Sequence, residues 1–134
     1  MNDSLDTLVD AARTARLNAF APYSKFQVGA ALLTASGRIV TGCNVESASY
    51  GLTLCAERVA VFKAVSEGER HFTRIAIVAD TAAPTPPCGA CRQILWEFGG
   101  DLEVVLANLK AVTGTYRLRD LLPLPFDGRL LVTP

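Results

Sequence analysis

The first apolar residues of the chain recur every three or four positions, which is the spacing of an amphipathic helix. Polar residues such as Asp6, Asp10 and Arg13 fall between them. Pro22 follows, and a proline interrupts helical hydrogen bonding. The pattern therefore predicts a first helix that ends before Pro22. Its apolar face consists of Leu5, Leu8, Val9, Ala12, Ala15, Ala19 and Phe20.

The rest of the chain alternates between apolar runs of strand length and runs of helix length. Residues 26–34 and 38–46 flank Ser36-Gly37 and predict a hairpin. Helices are predicted at 55–66 and 88–98, further strands at 75–79, 102–107 and 112–118, a proline-rich loop at 82–87 and a turn at 121–122. Strands and helices alternating around one sheet predict an α/β fold, namely a three-layer α/β/α sandwich. At 134 residues, we expect a single domain spanning 1–134.

Composition narrows the classes of partner. Half of the residues are hydrophobic and 19% are charged, which favours an apolar surface covered by further copies of the chain. Thirteen basic and thirteen acidic residues cancel, so a nucleic-acid backbone is not the expected ligand. The longest uncharged stretch, 26–37, is shorter than the roughly 20 residues of a membrane span, and no membrane partner is expected. The N-terminus shows no targeting pattern, so we expect a cytoplasmic protein.

The cysteines carry the strongest chemical pattern. Cys88 and Cys91 form a C-x-x-C at the start of one predicted helix, and Cys55 opens another. Three thiolates can hold Zn²⁺ and leave a fourth tetrahedral position for water, as a catalytic zinc requires. The positive end of each helix dipole also favours the thiolate form.

Two alternatives remain open at this point. The remaining cysteine, Cys43, could supply a fourth thiolate and close the site into a structural zinc module. Against this, Cys43 lies alone in a strand-like run. Cys88 and Cys91 could instead form a thiol–disulfide exchange pair.

Glu57 favours the catalytic interpretation. It lies two residues after Cys55, about 200° around an ideal helix, and so does not point toward the same metal. A glutamate at that helix end can act as a proton shuttle beside a zinc-bound water. Taken alone, it could equally be a solvated acid in a first helical turn.

Several motifs in order resemble one family, the short homotetrameric cytidine deaminases. They are APYS at 21–24, FQVGAAL at 26–32, GCNVE at 42–46, CAER at 55–58, PCGACRQ at 87–93, LLP at 121–123 and Phe126. The resemblance covers nearly the whole chain. It implies a mixed five-stranded sheet and hydrolysis of free cytidine and 2'-deoxycytidine to uridine and 2'-deoxyuridine with release of ammonia, a step of pyrimidine salvage.

The resemblance also implies roles for single residues. Cys55, Cys88 and Cys91 would bind one Zn²⁺ per chain, and Glu57 would shuttle protons. Asn44 and Glu46 would hold the sugar hydroxyls. The remaining substrate-binding positions would be Phe26, Ala48, Tyr50, Ala56 and, from a neighbouring subunit, Phe126.

Each of these assignments has a plainer alternative. Asn44 and Glu46 could be a solvated strand edge, and Phe26 and Phe126 could be core residues. Arg58 could be a surface charge. Three thiolates around Zn²⁺ leave a negative centre, however, and Arg58 could donate hydrogen bonds to the sulfurs and offset that charge.

Overall fold

The computed structural model describes residues 3–131 of the chain. Over this range four α-helices and five strands follow one another. In chain order they are α1 (Asp3–Arg16), β1 (Val28–Thr34), β2 (Ile39–Cys43), α2 (Ala56–Ser66), β3 (Phe72–Ala79), α3 (Gly89–Gly99), β4 (Glu103–Ala107), β5 (Val112–Arg117) and α4 (Leu118–Leu121).

The strands form one mixed sheet in the order β2-β1-β3-β4-β5. β1 is antiparallel to both β2 and β3, and β4 is antiparallel to β5. β3 and β4 are parallel, and α3 lies in the connection between them. Two parallel strands need such a crossover, which explains why a helix is inserted at this point of an otherwise antiparallel sheet.

Helices cover the two faces of the sheet unequally. The apolar face of α1, including Leu8 and Ala12, packs with Ala31, Val78 and Val105 on one side. On the other side, α2 and α3 cover the alternate residues of the same strands. That larger cluster includes Leu32, Val40, Ala60, Ile77, Leu95 and Leu106. The three-layer α/β/α sandwich predicted from the alternation of elements is confirmed.

The start of α2 lies very close to β2. A Cβ added at Gly42 would come within 2.5 Å of the Ala56 carbonyl oxygen and 2.6 Å of the Ala60 backbone nitrogen. Only glycine permits this approach. It holds the first turn of α2, with Cys55 at its N-cap, directly over the hairpin.

Two predicted elements are shorter than the pattern suggested. α1 ends at Arg16, because the next three residues make i→i−3 turn hydrogen bonds and Phe20 pairs with Val45. β2 ends at Cys43 and does not reach residue 46. Val45 forms isolated bridges to Phe20 and Leu54, so this segment is held by loops rather than by the sheet.

The other predicted elements lie within a few residues of their predicted bounds. The turn at 121–122 is replaced by the short helix α4. Within residues 3–131, no helix combines the length and the apolar character that crossing a membrane would require.

Candidate active site

The three predicted zinc ligands come together at the starts of two helices. Cys55 is the N-cap of α2, Cys88 is the N-cap of α3, and Cys91 lies in the first turn of α3. Their Sγ atoms all lie within 4.8 Å of one another. Cys55 Sγ and Cys88 Sγ are 3.9 Å apart. Cys91 is buried, Cys55 is half-buried and Cys88 is exposed.

This geometry fits a zinc ion. Tetrahedral Zn²⁺ with Zn–S bonds of about 2.3 Å separates its sulfur ligands by about 3.8 Å. The distance of 3.9 Å between Cys55 Sγ and Cys88 Sγ is close to that value. Thiolate sulfurs also bind Zn²⁺ well, whereas harder cations such as Mg²⁺ prefer oxygen ligands.

Cys43 does not belong to this group of sulfurs. Because Gly42 faces α2, the alternation of a strand turns Cys43 toward the opposite face of the sheet. The four-thiolate cage considered from the sequence is therefore wrong for this chain. The three sulfurs leave one tetrahedral position for another ligand.

Hydrogen bonding shifts the pKa values of two of the thiols in opposite directions. The hydrogen bond from Cys91, assisted by Arg58, lowers the pKa of Cys55 to about 5. The same hydrogen bond to Cys55 raises the pKa of Cys91 well above its usual value. The cluster thus favours at least one thiolate at neutral pH, the form that binds a metal.

Glu57 lies one residue inside α2 and is only 4% exposed. Burial raises the pKa of its carboxyl to about 7, and the nearby Cys55 thiolate acts in the same direction. The solvated-acid interpretation of Glu57 is therefore wrong. A carboxyl with a pKa near neutrality can both accept and release a proton.

Arg58 is directed toward the sulfurs. Its Nη2 donates to the Thr53 carbonyl oxygen at 3.3 Å and to Cys55 Sγ at 3.5 Å. Its Nε is buried and, among the described residues, has no hydrogen-bond partner. An under-satisfied cation in contact with Cys55 Sγ matches a negatively charged metal–thiolate centre better than it matches neutral thiols.

Cys55, Cys88 and Glu57 border a cavity of about 270 Å³. Cys55, Ala56, Glu57 and Cys88 line one end of it, which we call the metal end. The other end is lined by residues of the two loops that follow α1 and β2, and we call it the loop end. It comprises Ser24, Phe26, Asn44 and Glu46.

Asn44 is buried and hydrogen-bonded on both sides of its amide. Its Oδ1 accepts from the Val28 backbone nitrogen at 2.9 Å, and its Nδ2 donates to the Phe26 carbonyl oxygen at 2.7 Å. One N–H of the amide and one lone pair of its oxygen remain for a ligand. Asn44 is therefore a buried residue that organises the cavity, not a solvated strand edge.

Glu46 holds the turn before Phe26. Its Oε1 accepts from the backbone nitrogens of Tyr23 at 3.0 Å and Ser24 at 3.1 Å. Its Oε2 accepts from the Ser24 hydroxyl. The hydrogen bond from the Ser24 side chain is the main reason why the pKa of Glu46 is lowered. Lys25, in the same turn, adopts a left-handed backbone with φ of 61°, which non-glycine residues rarely do.

Three predicted substrate-binding residues do not line this cavity. Ala48 is exposed, and Tyr50 lies on an adjoining surface hollow with Tyr23, where the two rings meet edge to face at 6.0 Å. Phe126 is 54% exposed and lies beside Trp96 on a different surface of the same chain.

Sequence reasoning missed several residues of the cavity wall. Ser24 lines the loop end, and Thr53 lines the cavity from the segment just before α2. Thr85 and Pro86 line it from the loop before α3. Position next to a recognised motif was the only available signal. Ser24 lies in the APYS motif, and Thr85 lies two positions before the PCGAC motif.

The sequence of the chain matches one protein family over most of its length. The family is described as the cytidine and deoxycytidylate deaminase zinc-binding region, and the match covers residues 2–108. The chain belongs to this family. As a member, it is a zinc-dependent hydrolytic deaminase, and the predicted zinc cofactor is confirmed.

Individual members are similar over nearly their full length. A cytidine deaminase of Halalkalibacterium halodurans is 52% identical over 122 residues, which cover 90% of this chain and 92% of the relative. A probable cytidine deaminase of Dictyostelium discoideum is 48% identical over 131 residues, 97% of this chain and 88% of the relative. The crystal structure of a cytidine deaminase from Burkholderia pseudomallei superimposes with a TM-score of 0.87 at 51% identity, covering 90% of this chain and 98% of that one. The predicted family and the mixed five-stranded fold are confirmed.

Proposed function

We propose that this deaminase hydrolyses the 4-amino group of free cytidine and 2'-deoxycytidine, giving uridine or 2'-deoxyuridine and ammonia. One observation carries the proposal. A buried carboxyl, Glu57, lines the same cavity as Cys55 and Cys88, whose sulfurs form a zinc-binding cluster with Cys91. A cavity of about 270 Å³ accommodates a small ligand rather than a polymer.

Zinc held by Cys55, Cys88 and Cys91 would supply Lewis-acid activation of a water molecule. Glu57 accepts the proton that this water loses and delivers it to the ring nitrogen beside C4, which makes C4 a better electrophile. After hydroxide has added to C4, Glu57 takes the proton of the new C4 hydroxyl and passes it to the departing amine, so that ammonia leaves as the C4 carbonyl forms. The low exposure of Glu57 keeps bulk water from competing for these proton transfers.

The loop end of the cavity would receive the sugar. Asn44 retains a free amide N–H, and Glu46 carries carboxylate oxygens that can accept from sugar hydroxyls. Phe26 at the loop end and Ala56 at the metal end provide apolar contact for the base. Arg58 offsets the negative charge of the thiolates through Cys55.

We further propose that the active form is a homotetramer. Phe126 is exposed and remote from the cavity of its own chain, so it is free to pack on the base in a neighbouring subunit. Tyr50 is exposed on the surface hollow that adjoins the cavity, and Ala48 is exposed two residues before it, so a neighbouring subunit could complete the wall there. Sedimentation analysis of the wild type and of Phe126→Ala, together with the KM of each, tests both statements.

The biological setting follows from this reaction. Returning the cytosine of free nucleosides to the uracil pool is a step of pyrimidine salvage. Cysteines that must stay reduced to bind a metal suit the cytoplasm. We treat residues 1–134 as one domain, because both faces of the single sheet are covered by helices of the same chain.

An ultraviolet assay of the purified protein on cytidine and 2'-deoxycytidine, with and without a strong zinc chelator, tests the proposal. We expect conversion to the uracil nucleosides that stops when zinc is removed and resumes when zinc is restored. A panel that includes free cytosine and a cytosine-bearing nucleoside antibiotic tests the substrate class. Protein with one zinc per chain that leaves both nucleosides unchanged would overturn the proposal.

A further inference from the structure

The loop between β3 and α3 adds an uncharged hydroxyl residue, Thr85, to the cavity lining. Thr85 and Pro86 both line that cavity, two or three residues before Cys88. Thr85 is half-buried. Because Thr85 lies three positions before the predicted zinc ligand Cys88 in the same loop, it is a wall residue that the C4 end of a bound cytosine can reach under the proposed reaction.

The hydrogen bonds of this loop determine which way the Thr85 hydroxyl points its proton. Thr81 Oγ1 lies 2.8 Å from the Ala83 carbonyl oxygen, which can only accept, so the single Thr81 proton is used there. Thr81 Oγ1 also lies 2.7 Å from Thr85 Oγ1. Because Thr81 has no second proton, Thr85 must be the donor in this pair.

Thr85 is thereby fixed as an acceptor. Its only hydrogen is directed to Thr81, and its two lone pairs remain available. Within residues 3–131, no group other than Thr81 hydrogen-bonds to Thr85 Oγ1. A chain of hydroxyls that donate in one direction also makes the terminal oxygen a better acceptor.

We propose that Thr85 Oγ1 accepts a hydrogen bond from the exocyclic 4-amino group of the substrate and so distinguishes substrate from product. The inference deepens the function proposed above and rests on it. An amino group on the ring presents N–H donors, which match the lone pairs of Thr85. In the uracil product a carbonyl oxygen replaces the amino group and presents lone pairs only. Thr85 cannot donate a hydrogen bond to it, because its proton is already given to Thr81.

The same arrangement favours product release. Two acceptors facing each other without a shared proton leave at least one of them unsatisfied when the product fills the cavity. Thr81 is then a positioning residue, since it acts only by holding the Thr85 proton. Thr85 itself is a specificity-determining residue of the cavity wall.

The test compares two ligands that differ at this one position. For zinc-loaded wild type, Thr85→Val and Thr85→Ser, we would measure kcat/KM for cytidine and the competitive inhibition constant for uridine. Valine has the shape of threonine without the hydroxyl. We expect Thr85→Val to lower kcat/KM for cytidine about fivefold, with uridine bound as tightly as before or more tightly. Thr85→Ser should restore most of the loss.

Thr81→Val supplies a second variant that leaves the cavity wall intact. It frees the Thr85 hydroxyl to rotate and act as a donor, so discrimination between cytidine and uridine should fall about twofold, in the same direction as for Thr85→Val. Zinc content and melting temperature, measured for every variant, report on the position of the loop and of Cys88.

The outcomes are distinct. Weaker cytidine handling with unchanged or tighter uridine binding supports the proposal. If both ligands weaken together, or if neither constant moves, Thr85 is only a structural residue of the loop and the proposal is overturned. A zinc-loaded wild type that does not convert cytidine would refute the proposed function, whereas active wild type with an unmoved ratio refutes the role of Thr85 alone.

Discussion

The two ends of the cavity present their polar groups in different ways. At the metal end, Cys55, Cys88 and Glu57 project from the first turns of α2 and α3, where the helix ends fix the backbone and leave the side chains for a ligand. At the loop end, Asn44 and Glu46 already make hydrogen bonds to backbone groups 16 to 23 positions away along the chain.

The side chains at the metal end therefore serve the reaction, whereas those at the loop end also stabilise the fold. The sulfurs and the carboxyl at the metal end are held by two helices whose packing does not depend on those side chains. The polar side chains at the loop end stabilise the very turn that shapes the cavity. Substitutions at the metal end should therefore remove turnover and leave the fold. Substitutions at the loop end should weaken binding and stability together.

The largest expected effect is that of Glu57→Gln. The amide keeps the size of the side chain but cannot accept and return a proton, so turnover should fall by about 10² to 10⁴. Zinc content should remain at that of the wild type. The melting temperature should not fall, because a buried neutral amide costs less desolvation than a carboxylate. Timed ultraviolet assays, metal analysis and thermal melts check the three statements.

A Glu57→Gln variant that retains more than a tenth of wild-type turnover would contradict the assignment of the proton shuttle. Cys91→Ser is the informative companion at the same end. It should lose zinc as well as activity, because it removes a buried ligand of the cluster.

The next effect in size is that of Arg58→Gln. Removing the guanidinium leaves the charge of the thiolates without its donor at Cys55, and zinc affinity should fall about 10- to 100-fold. Competition with a chelator of known affinity measures it. Arg70→Gln is a matched control, because Arg70 donates to the carbonyl oxygens of Val65 and Glu69 at the C-terminal end of α2. Equal losses in both variants would mean that Arg58 acts only through the general charge of the protein.

At the loop end, Glu46→Gln should raise the KM for cytidine about tenfold with a smaller change in kcat, since an amide offers one acceptor oxygen where the carboxylate offers two. The melting temperature should fall, because Tyr23, Ser24 and the strained Lys25 lose part of their anchor. Glu67→Gln, at an exposed ion pair with Arg38, is the control. If the KM rises but the melting temperature does not change, Glu46 binds substrate without stabilising the fold, and the proposed structural role of the loop end is wrong.

The sequence predicted the metal end better than the loop end, for a physical reason. Cys55 and the pair Cys88 and Cys91 open predicted helices, and local spacing is enough to place them. The contacts of Glu46 join residues 22 and 23 positions apart through a turn with an unusual backbone, and no local pattern contains that information.

The fold shows the same division. Periodicity gave the helices and strands to within a few residues, but it extended α1 past Arg16 and β2 past Cys43. Both errors fall where Phe20 and Val45 pair outside the sheet. Such a pairing depends on tertiary contacts that override local propensity.

The smallest expected effect is that of Cys43→Ser, which tests whether a cysteine outside both ends of the cavity affects zinc binding. Cys43 lies 12 residues before Cys55, yet it belongs to neither end of the cavity, because the strand turns it toward the face of the sheet that α1 covers. Zinc should stay at one per chain and kcat/KM should stay within about twofold, the range of a substitution away from a site. Metal analysis measures the zinc content. Cys88→Ser, the same substitution at a predicted zinc ligand, is the control and should lose zinc. Zinc lost from Cys43→Ser would mean that β2 can deliver a fourth thiolate to the cluster, and the open coordination position on which the reaction depends would no longer exist.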